Sequence, residues 1–503
     1  MRFLENAILI LLLFSLAWTF LPPQRRSRLI LYLPFLVSLL VILHLIIEGS
    51  RWQMIPAYLL TLALLANNIC LLRSPASRST HQPVWLRLGL VFGGLLLFLL
   101  VSQLPTLIPV FSLPQPGGGF AVGVSQLVLT DTERAEIFTS QPDDQRQVPL
   151  MIWYPAEVSP AERPTTYWLN QPQISRQLTA MLGLPFFLLD HLSLVQTHAV
   201  LDAPAVSGQP PFPVILYSHG YRLGYLQQNS SLMETLASHG YVVISVGHPF
   251  QAAAVPDKSG GLMRFASETA PRFSQDANFR DKSLTIWTDD LRFVLNHLPD
   301  FQSGSLLPQL SGKLDVERVG VGGMSFGGSA ASRLCLQESR CDALLTLDSP
   351  QYEPVLSQSL QQPVLFFAAQ ESEYVREEVF QQVNAPAYLL TIQGSAHYDF
   401  TDLTLVSPLN AALGFSGGIN GGQMVRILNQ YSLAFFNRHL KNLPAPLLDS
   451  PSADYPEVNI TARNWPRTAS GRGSRSIAAS STGWKMPRSL RSKMNWAWVF
   501  SAG

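Results

Sequence analysis

Charge is scarce in this chain of 503 residues: Asp, Glu, Lys and Arg together make up 14% and nearly cancel, to a net +1. So balanced a chain carries no electrostatic footprint for a nucleic-acid partner, and none is expected. Cysteine is scarcer still, with three in all, at positions 70, 335 and 341. That rules out a disulfide-dense scaffold and leaves no set with zinc-ligand spacing. There is no Walker phosphate loop; the triplet Gly117 to Gly119 follows prolines rather than a strand. No metal and no cofactor are therefore expected.

Apolar sequence, by contrast, is in excess and is unevenly placed. The mean hydropathy of +0.16 comes from four runs near the start: Phe3 to Phe20, Leu29 to Ile47, Ile55 to Leu72 and Trp85 to Val101. Each approaches the ~20 residues that cross roughly 30 Å of hydrocarbon. None keeps the polar stripe of a helix packed on a soluble core. The first run has too thin a basic flank for a signal peptide, and three more follow it, so it reads as an anchor. The expectation is a region of four transmembrane helices over residues 1–103. Arg25, Arg26 and Arg28 follow the first run, and Arg73, Arg78 and Arg87 lie at or between the third and fourth. Basic loops face the cytoplasm. Both ends of the bundle then face outward, and the rest of the chain is expected to be exoplasmic, periplasmic or extracellular in a bacterial cell. Cys70 falls inside the third run. Cys335 and Cys341 form a candidate disulfide in such a compartment, with two reduced buried thiols as the alternative.

Residues 104–120, with four prolines and the glycine triplet, read as a linker and a flexible tether. From 121 to 447 short apolar runs alternate with helix-like stretches, the pattern of an α/β domain with a mostly parallel sheet flanked by helices. The first two strand-like runs, Val122 to Leu129 and Val148 to Tyr154, have no helix between them and suit an antiparallel edge. The apolar segment 181–195 reads either as a lid touching lipid or as packing on the sheet. Residues 448–503 read as a basic, disordered tail: from Thr461 onward there are eight Lys or Arg and no acid. Anionic lipid or wall polymer is a candidate partner for it, and a merely solvated extension is the alternative.

The strand-like run Arg318 to Val321 leads into Gly-Gly-Met-Ser-Phe-Gly-Gly, residues 322 to 328, and then into a helix-like stretch. A G-x-S-x-G between strand and helix is a nucleophile elbow, which lifts the hydroxyl of Ser325 above the sheet and sets the N–H of Phe326 at a helix start. A bare G-x-S-x-G also arises by chance; its weight depends on what lies around it. Downstream, the run Ala343 to Leu347 ends in Asp348, and the run Ala387 to Ile392 leads to His397. A serine needs a base, and an imidazole needs a carboxylate to fix its tautomer; the order Ser, Asp, His is that of an α/β-hydrolase. Glu371 and Glu373 also satisfy the order, while Asp399 and Asp402 lie beyond the histidine; Asp348 itself can simply cap a turn. Upstream, Ser218-His219-Gly220-Tyr221 follows a strand, and the backbone N–H of Tyr221 is the expected second oxyanion donor beside that of Phe326. His219 and His248 read as structural, and His439 as surface.

Ser218 to Gly220, Leu236 to Val243, Gly323 to Gly328, Leu347-Asp348 and Gly394 to Asp402 together resemble the plasma and type II platelet-activating-factor acetylhydrolases and their bacterial, dienelactone-hydrolase-like relatives. The resemblance spans roughly residues 120 to 445. It implies an α/β-hydrolase fold, calcium-independent cleavage of carboxylic esters, and Asp348 rather than Glu371 or Glu373 as the acid. A true dienelactone hydrolase carries a cysteine where this chain has Ser325. The expectation is a membrane-anchored serine ester hydrolase working through an acyl-enzyme, on short-acyl or oxidised phospholipid-type esters. An acyltransferase with the same triad, or a non-catalytic binding module, is the alternative.

Overall fold

The computed structural model describes residues 2–21, 28–73, 84–141, 143–169 and 171–463. Arg25, Arg26, Arg78 and the greater part of the expected tail lie outside the described residues.

The apolar runs form four helices, α1 (Phe3–Phe20), α2 (Leu33–Ile47), α3 (Ile55–Arg73) and α4 (Val84–Leu107). Two stretches, Ile30–Ile47 and Trp52–Cys70, are long and apolar enough to cross a membrane; the apolar stretches Phe3–Trp18 and Phe92–Leu107 are shorter. One buried ion pair gathers their ends. The Arg51 guanidinium bonds both Glu5 oxygens at 2.7 Å and the carbonyls of Ile108 and Pro105 at 2.8 and 3.2 Å. Arg2 joins Glu5 to the Glu48 carbonyl. The starts of α1 and α3 and the ends of α2 and α4 thus meet at one corner. Glu5, His44 and Glu48 cluster there, with Arg2 and Arg51 supplying the counter-charge.

The remaining chain builds a ten-stranded sheet. In chain order its strands are β1 (Ala121–Ala135), β2 (Gln145–Ala156), β3 (Ala199–Leu201), β4 (Phe212–Ser218) and β5 (Val242–Val246), then, after a small hairpin of β6 (Ala254–Pro256) and β7 (Leu262–Arg264), β8 (Leu314–Met324), β9 (Ala343–Leu347), β10 (Val364–Ala369), β11 (Ala387–Ile392) and β12 (Val458–Arg463). The spatial order is β12-β11-β10-β9-β8-β4-β5-β2-β1-β3. From β5 to β11 every neighbouring pair is parallel, while β1–β2, β2–β5 and β11–β12 are antiparallel. Parallel strands need crossovers, and the helices that supply them cover both faces. They are α5 (Gln173–Met181), α6 (Ser230–Ser238), α7 (Ala270–Gln275), α8 (Ala277–Asn296), α9 (Leu298–Ser303), α10 (Phe326–Gln337), α11 (Glu377–Gln382) and α12 (Gly421–Lys441). Apolar residues alternate between two buried clusters, one on each face: Ile215, Val243, Leu345 and Leu365 pack towards α6 and α12, and Val214, Ile244, Leu344 and Phe366 pack towards α8 and α10.

Three expectations are corrected. The segment after α4 is not a free tether: Phe111 and Leu113 are buried, and Gly118 and Phe120 donate to Ser238. Six residues assigned to the tail, Val458 to Arg463, form the edge strand β12, because the apolar Val458 and Ile460 complete the sheet beside β11. His439 is packed rather than on the surface, with its ring 4.9 Å from that of Phe435 and burial pushing its pKa down to about 4. Segment 181–195 divides: Leu189, Leu192 and Val195 pack inward, whereas Phe186 is 68% exposed. Cys335 and Cys341 are joined in a disulfide between α10 and β9. Closing so short a loop stabilises by about 2 kcal/mol in the chain-entropy account. Replacing both cysteines with serine should lower the thermal unfolding midpoint by a few degrees, with ester turnover at 25 °C retained.

Candidate active site

Three adjacent parallel strands set the site. Ser218 at the end of β4 pairs with Gly323 of β8, and Met324 pairs with Leu347 of β9. Their carboxyl ends therefore share one rim, where open α/β sheets bind ligands. Ser325 follows β8 at once and has φ 54° and ψ −124°, a conformation most side-chain-bearing residues avoid. Glycine permits the turn: a Cβ at Gly327 would lie 2.2 Å from the His219 carbonyl oxygen, and one at Gly323 2.4 Å from the Gly327 carbonyl carbon. The Ser325 N–H donates to the Leu347 carbonyl at 2.9 Å, tying the elbow to β9.

Past β9, Asp348 is also at positive φ, 44°, and is 1% exposed. One carboxylate oxygen accepts from the Ala369 N–H at 3.0 Å, the other from His397 Nδ1 at 2.6 Å. His397 Nε2 lies 3.0 Å from Ser325 Oγ. Asp348, His397 and Ser325 thus form one hydrogen-bonded line between three loops. Glu371 and Glu373 stand on an exposed turn outside it. Asp402 is instead buried against the start of α6, where it accepts from the Ser231 N–H and the Tyr167 hydroxyl. Burial pushes its carboxyl well above the ordinary range, against the lowering effect of the Ser231 bond.

Tyr221 and Phe326 lie side by side, with rings 6.0 Å apart, and Phe273 stacks on Tyr221 at 3.7 Å. Among the described residues neither backbone N–H donates to another main-chain group. Phe326 opens α10, so its N–H is one of those that a helix start leaves without an intrahelical partner. Gly220 brings the other loop within reach: a Cβ there would be 3.6 Å from that of Ser325.

Sequence reasoning read His219 and His248 as structural but missed the carboxylates that support these loops, Asp399 and Asp290. Asp399 accepts from the Ala396 N–H at 2.8 Å, the Gly417 N–H at 2.6 Å and the Thr404 hydroxyl at 2.7 Å, clamping the His397 turn to the loop before α12. Beneath the loop that carries Tyr221, the Ser218 hydroxyl meets His248 Nε2, His248 Nδ1 meets Asp290, and Asp290 is held bidentate with Arg146. His219 Nδ1 donates to the Gly220 carbonyl, leaving Nε2 to accept from the His248 N–H. Trp287 stacks on His248 and touches Phe326. Burial would raise Asp290, but Arg146 and His248 outweigh it and hold the carboxyl well below its usual range. Burial, helped by His248, pushes His219 down to about 3; burial pushes His248 to about 4 against the pull of Asp290. Asp290 lies in the middle of α8, where nothing local in sequence distinguishes it from a surface carboxylate such as Asp289.

A mostly parallel sheet with a nucleophile elbow after β8 defines the chain as an α/β-hydrolase. A solved structure similar to it is ferulic acid esterase from Streptomyces cinnamoneus, with a TM-score of 0.56 and 27% identity, covering 70% of this chain and 99% of that one. The model of the family described as platelet-activating factor acetylhydrolase, isoform II, matches residues 108–259 and 294–444, and the chain belongs to that family. Among curated relatives, the platelet-activating factor acetylhydrolase of Cavia porcellus is 24% identical over 363 residues, 65% of this chain and 78% of the relative. The probable 1-alkyl-2-acetylglycerophosphocholine esterase of Arthroderma benhamiae is 25% identical over 410 residues, 73% of this chain and 99% of the relative. The chain is an ester-hydrolysing enzyme.

Two measurements follow from the supports. Asp399→Ala leaves two backbone donors unpaired, at about 1–3 kcal/mol each; kcat/KM should fall about tenfold or more as the His397 turn loosens, and the unfolding midpoint should fall with it. His219 and His248 are neutral when folded, whereas the unfolded chain protonates them near pH 6.5. Between there and pH 4 the unfolded state binds more protons, so stability drops as pH falls, by up to about 1.4 kcal/mol per pH unit for each histidine. Unfolding midpoints should be level above pH 7 and decline below 6.5, with a shallower decline in His248→Gln.

Proposed function

We propose that the enzyme is a membrane-anchored serine carboxylic-ester hydrolase that uses Ser325, His397 and Asp348 as its triad. The observation that carries this reading is the continuous line from Asp348 through His397 to Ser325 Oγ, at 2.6 and 3.0 Å. His397 Nε2 takes the proton as Ser325 Oγ attacks the ester carbonyl. Asp348 accepts from Nδ1–H, fixing the tautomer and stabilising the imidazolium. The N–H groups of Tyr221 and Phe326 receive the tetrahedral oxyanion. The intermediate collapses, His397 returns the proton to the departing alkoxide, and an acyl-serine remains. Water, deprotonated by the same imidazole, attacks the acyl carbon and releases the acid.

Short-acyl or oxidised phospholipid-type esters are the substrate class, on the strength of relatives named for platelet-activating factor and 1-alkyl-2-acetylglycerophosphocholine. Helices α1 to α4 act as a four-span anchor, with α4 running to Leu107, past the expected boundary at 103. Large apolar side chains at their surface support this, among them Phe14, Leu39, Ile42, Leu59, Phe92 and Leu100, each more than half exposed. The meeting of helix ends at Arg51 supports a topology with both ends of the bundle on the side of the catalytic domain. Arg25 and Arg26, which follow the first apolar run in sequence, and Arg78, which follows the third, support an exoplasmic catalytic side, which suits the Cys335–Cys341 bond. The catalytic domain runs from residue 121 through β12, and 108–120 is its packed linker.

The test uses the full chain in detergent with p-nitrophenyl esters from acetate to decanoate and a fluorophosphonate probe. Turnover falling by about 10³-fold or more in Ser325→Ala, together with labelling confined to Ser325, is expected. Labelling of another residue, or turnover that survives in Ser325→Ala, would overturn the assignment.

A further inference from the structure

The ring of Tyr398, next in the chain to His397, lies 5.5 Å from the imidazole and walls one side of a cleft of about 150 Å³. Leu223, two residues beyond Tyr221, lines it too. So do Leu188 and Leu189 of the apolar segment before β3, Leu409 of the loop before α12, and Ile108 just past α4. Several polar side chains on its wall already have partners. Ser407 Oγ donates to the Leu107 carbonyl, Asn410 Nδ2 to the Leu403 carbonyl, and Thr404 Oγ1 to Asp399. A ligand in this cleft meets carbon and few free polar atoms, so the fitting ligand is hydrocarbon.

The N-terminal helices help to build this cleft. Arg51 holds the carbonyl of Ile108, and Ser407 bonds Leu107 at the end of α4. Trp52, at the corner before α3, donates to the Leu188 carbonyl at 3.3 Å and packs edge-on against Phe187 at 5.4 Å. On the same segment and loop, Phe186 and Leu413 are 68% and 64% exposed.

We propose that this cleft is the binding site for the alkyl chain of a lipid ester, completed by the N-terminal helices. In this arrangement the chain enters sideways from the bilayer while its ester group reaches Ser325. The proposal rests on the reading of Ser325 as nucleophile and of α1 to α4 as an anchor. Its physical basis is the transfer of methylenes between two apolar phases without passage through water; for a substrate taken from water, each buried methylene raises kcat/KM by about fourfold until the cleft is full.

The experiment uses the full chain in nanodiscs. The first readout is kcat/KM for water-dispersed phosphatidylcholines with a two-carbon sn-2 acyl group and sn-1 chains from four to sixteen carbons. Wild type should show a steep rise with chain length, and Ile108→Trp should lower the ratio of long-chain to short-chain kcat/KM by at least tenfold. A wild-type profile independent of chain length, or a ratio unchanged in Ile108→Trp, overturns the proposal. The second readout needs no turnover: Ser325→Ala in nanodiscs is photo-crosslinked with a phosphatidylcholine bearing a diazirine in its alkyl chain, and the labelled peptides are mapped. Labelling at Ile108, 184–189 and 403–415 that unlabelled lipid competes away supports the cleft. Labelling elsewhere, or none, overturns it. Cleft labelling with no hydrolysis by wild type would uphold the hydrocarbon site and sink the ester-hydrolase reading instead.

Discussion

The arrangement of the site depends on one close approach of backbones, that of Gly327 to the end of β4. With hydrogen as the only side chain, residue 327 sits against the carbonyls of Ser218 and His219, and any Cβ would overlap both. That approach lets α10 begin one residue after Ser325 and forces Ser325 to positive φ. It also brings the loop carrying Tyr221 over the start of α10. The strain is offset by ties the chain makes elsewhere: Ser325 to Leu347, Asp348 to Phe367 and Ala369, and Gly328 back to Ser325.

Around this turn the enzyme spends many buried polar groups on holding loops rather than on touching substrate. Asp290 and Arg146 anchor His248, His248 anchors Ser218, and His219 shapes the loop that carries Tyr221. Asp399 does the equivalent for His397. In a low-dielectric interior such networks are rigid when every member is satisfied. Rigidity suits the oxyanion role proposed for the Tyr221 and Phe326 N–H groups, because donors already in place need no reorganisation as charge develops. The ring stack of Phe273, Tyr221, Phe326 and Trp287 fills the space between the network and the rim.

The N-terminal region enters the same economy of contacts. A single guanidinium, Arg51, is buried against Glu5 and two carbonyls from the end of α4, and the next residue, Trp52, reaches the apolar segment before β3. Removing one partner from such a pair leaves a buried charge uncompensated, so the corner is held as a unit. The family match begins at residue 108, where α4 has just ended, so α1 to α4 are an addition to the family's common part. That addition is packed on the catalytic domain through Trp52, Phe187 and Ser407, not merely strung to it.

Much was legible in order and period. The alternation of short apolar runs with helix-like stretches determined strands β1, β2, β4, β8, β9 and β11 and the helix after β8, because buried parallel strands and sheet-covering helices leave distinct repeats. The order Ser325, Asp348, His397, each just past such a run, determined which residues meet at one rim, because parallel strands end on the same side. What the sequence could not carry was anything set by distance through space. The choice of Asp348 over Glu371 or Glu373 needed the family resemblance, and its geometric reason, a buried oxygen facing His397 Nδ1, exists only in the assembled sheet. The roles of Asp290 and Asp399 depend on partners 42 and 18 residues away, and a carboxylate's neighbours leave no trace in its own local pattern. The edge strand β12 was hidden because its residues are half polar, as one face of an edge strand allows, and only the open side of β11 made them a strand. Local chemistry thus determined the elements and the groups that gather at the rim. Tertiary contact alone decided how they are held, where the linker lies and what walls the cleft beside them.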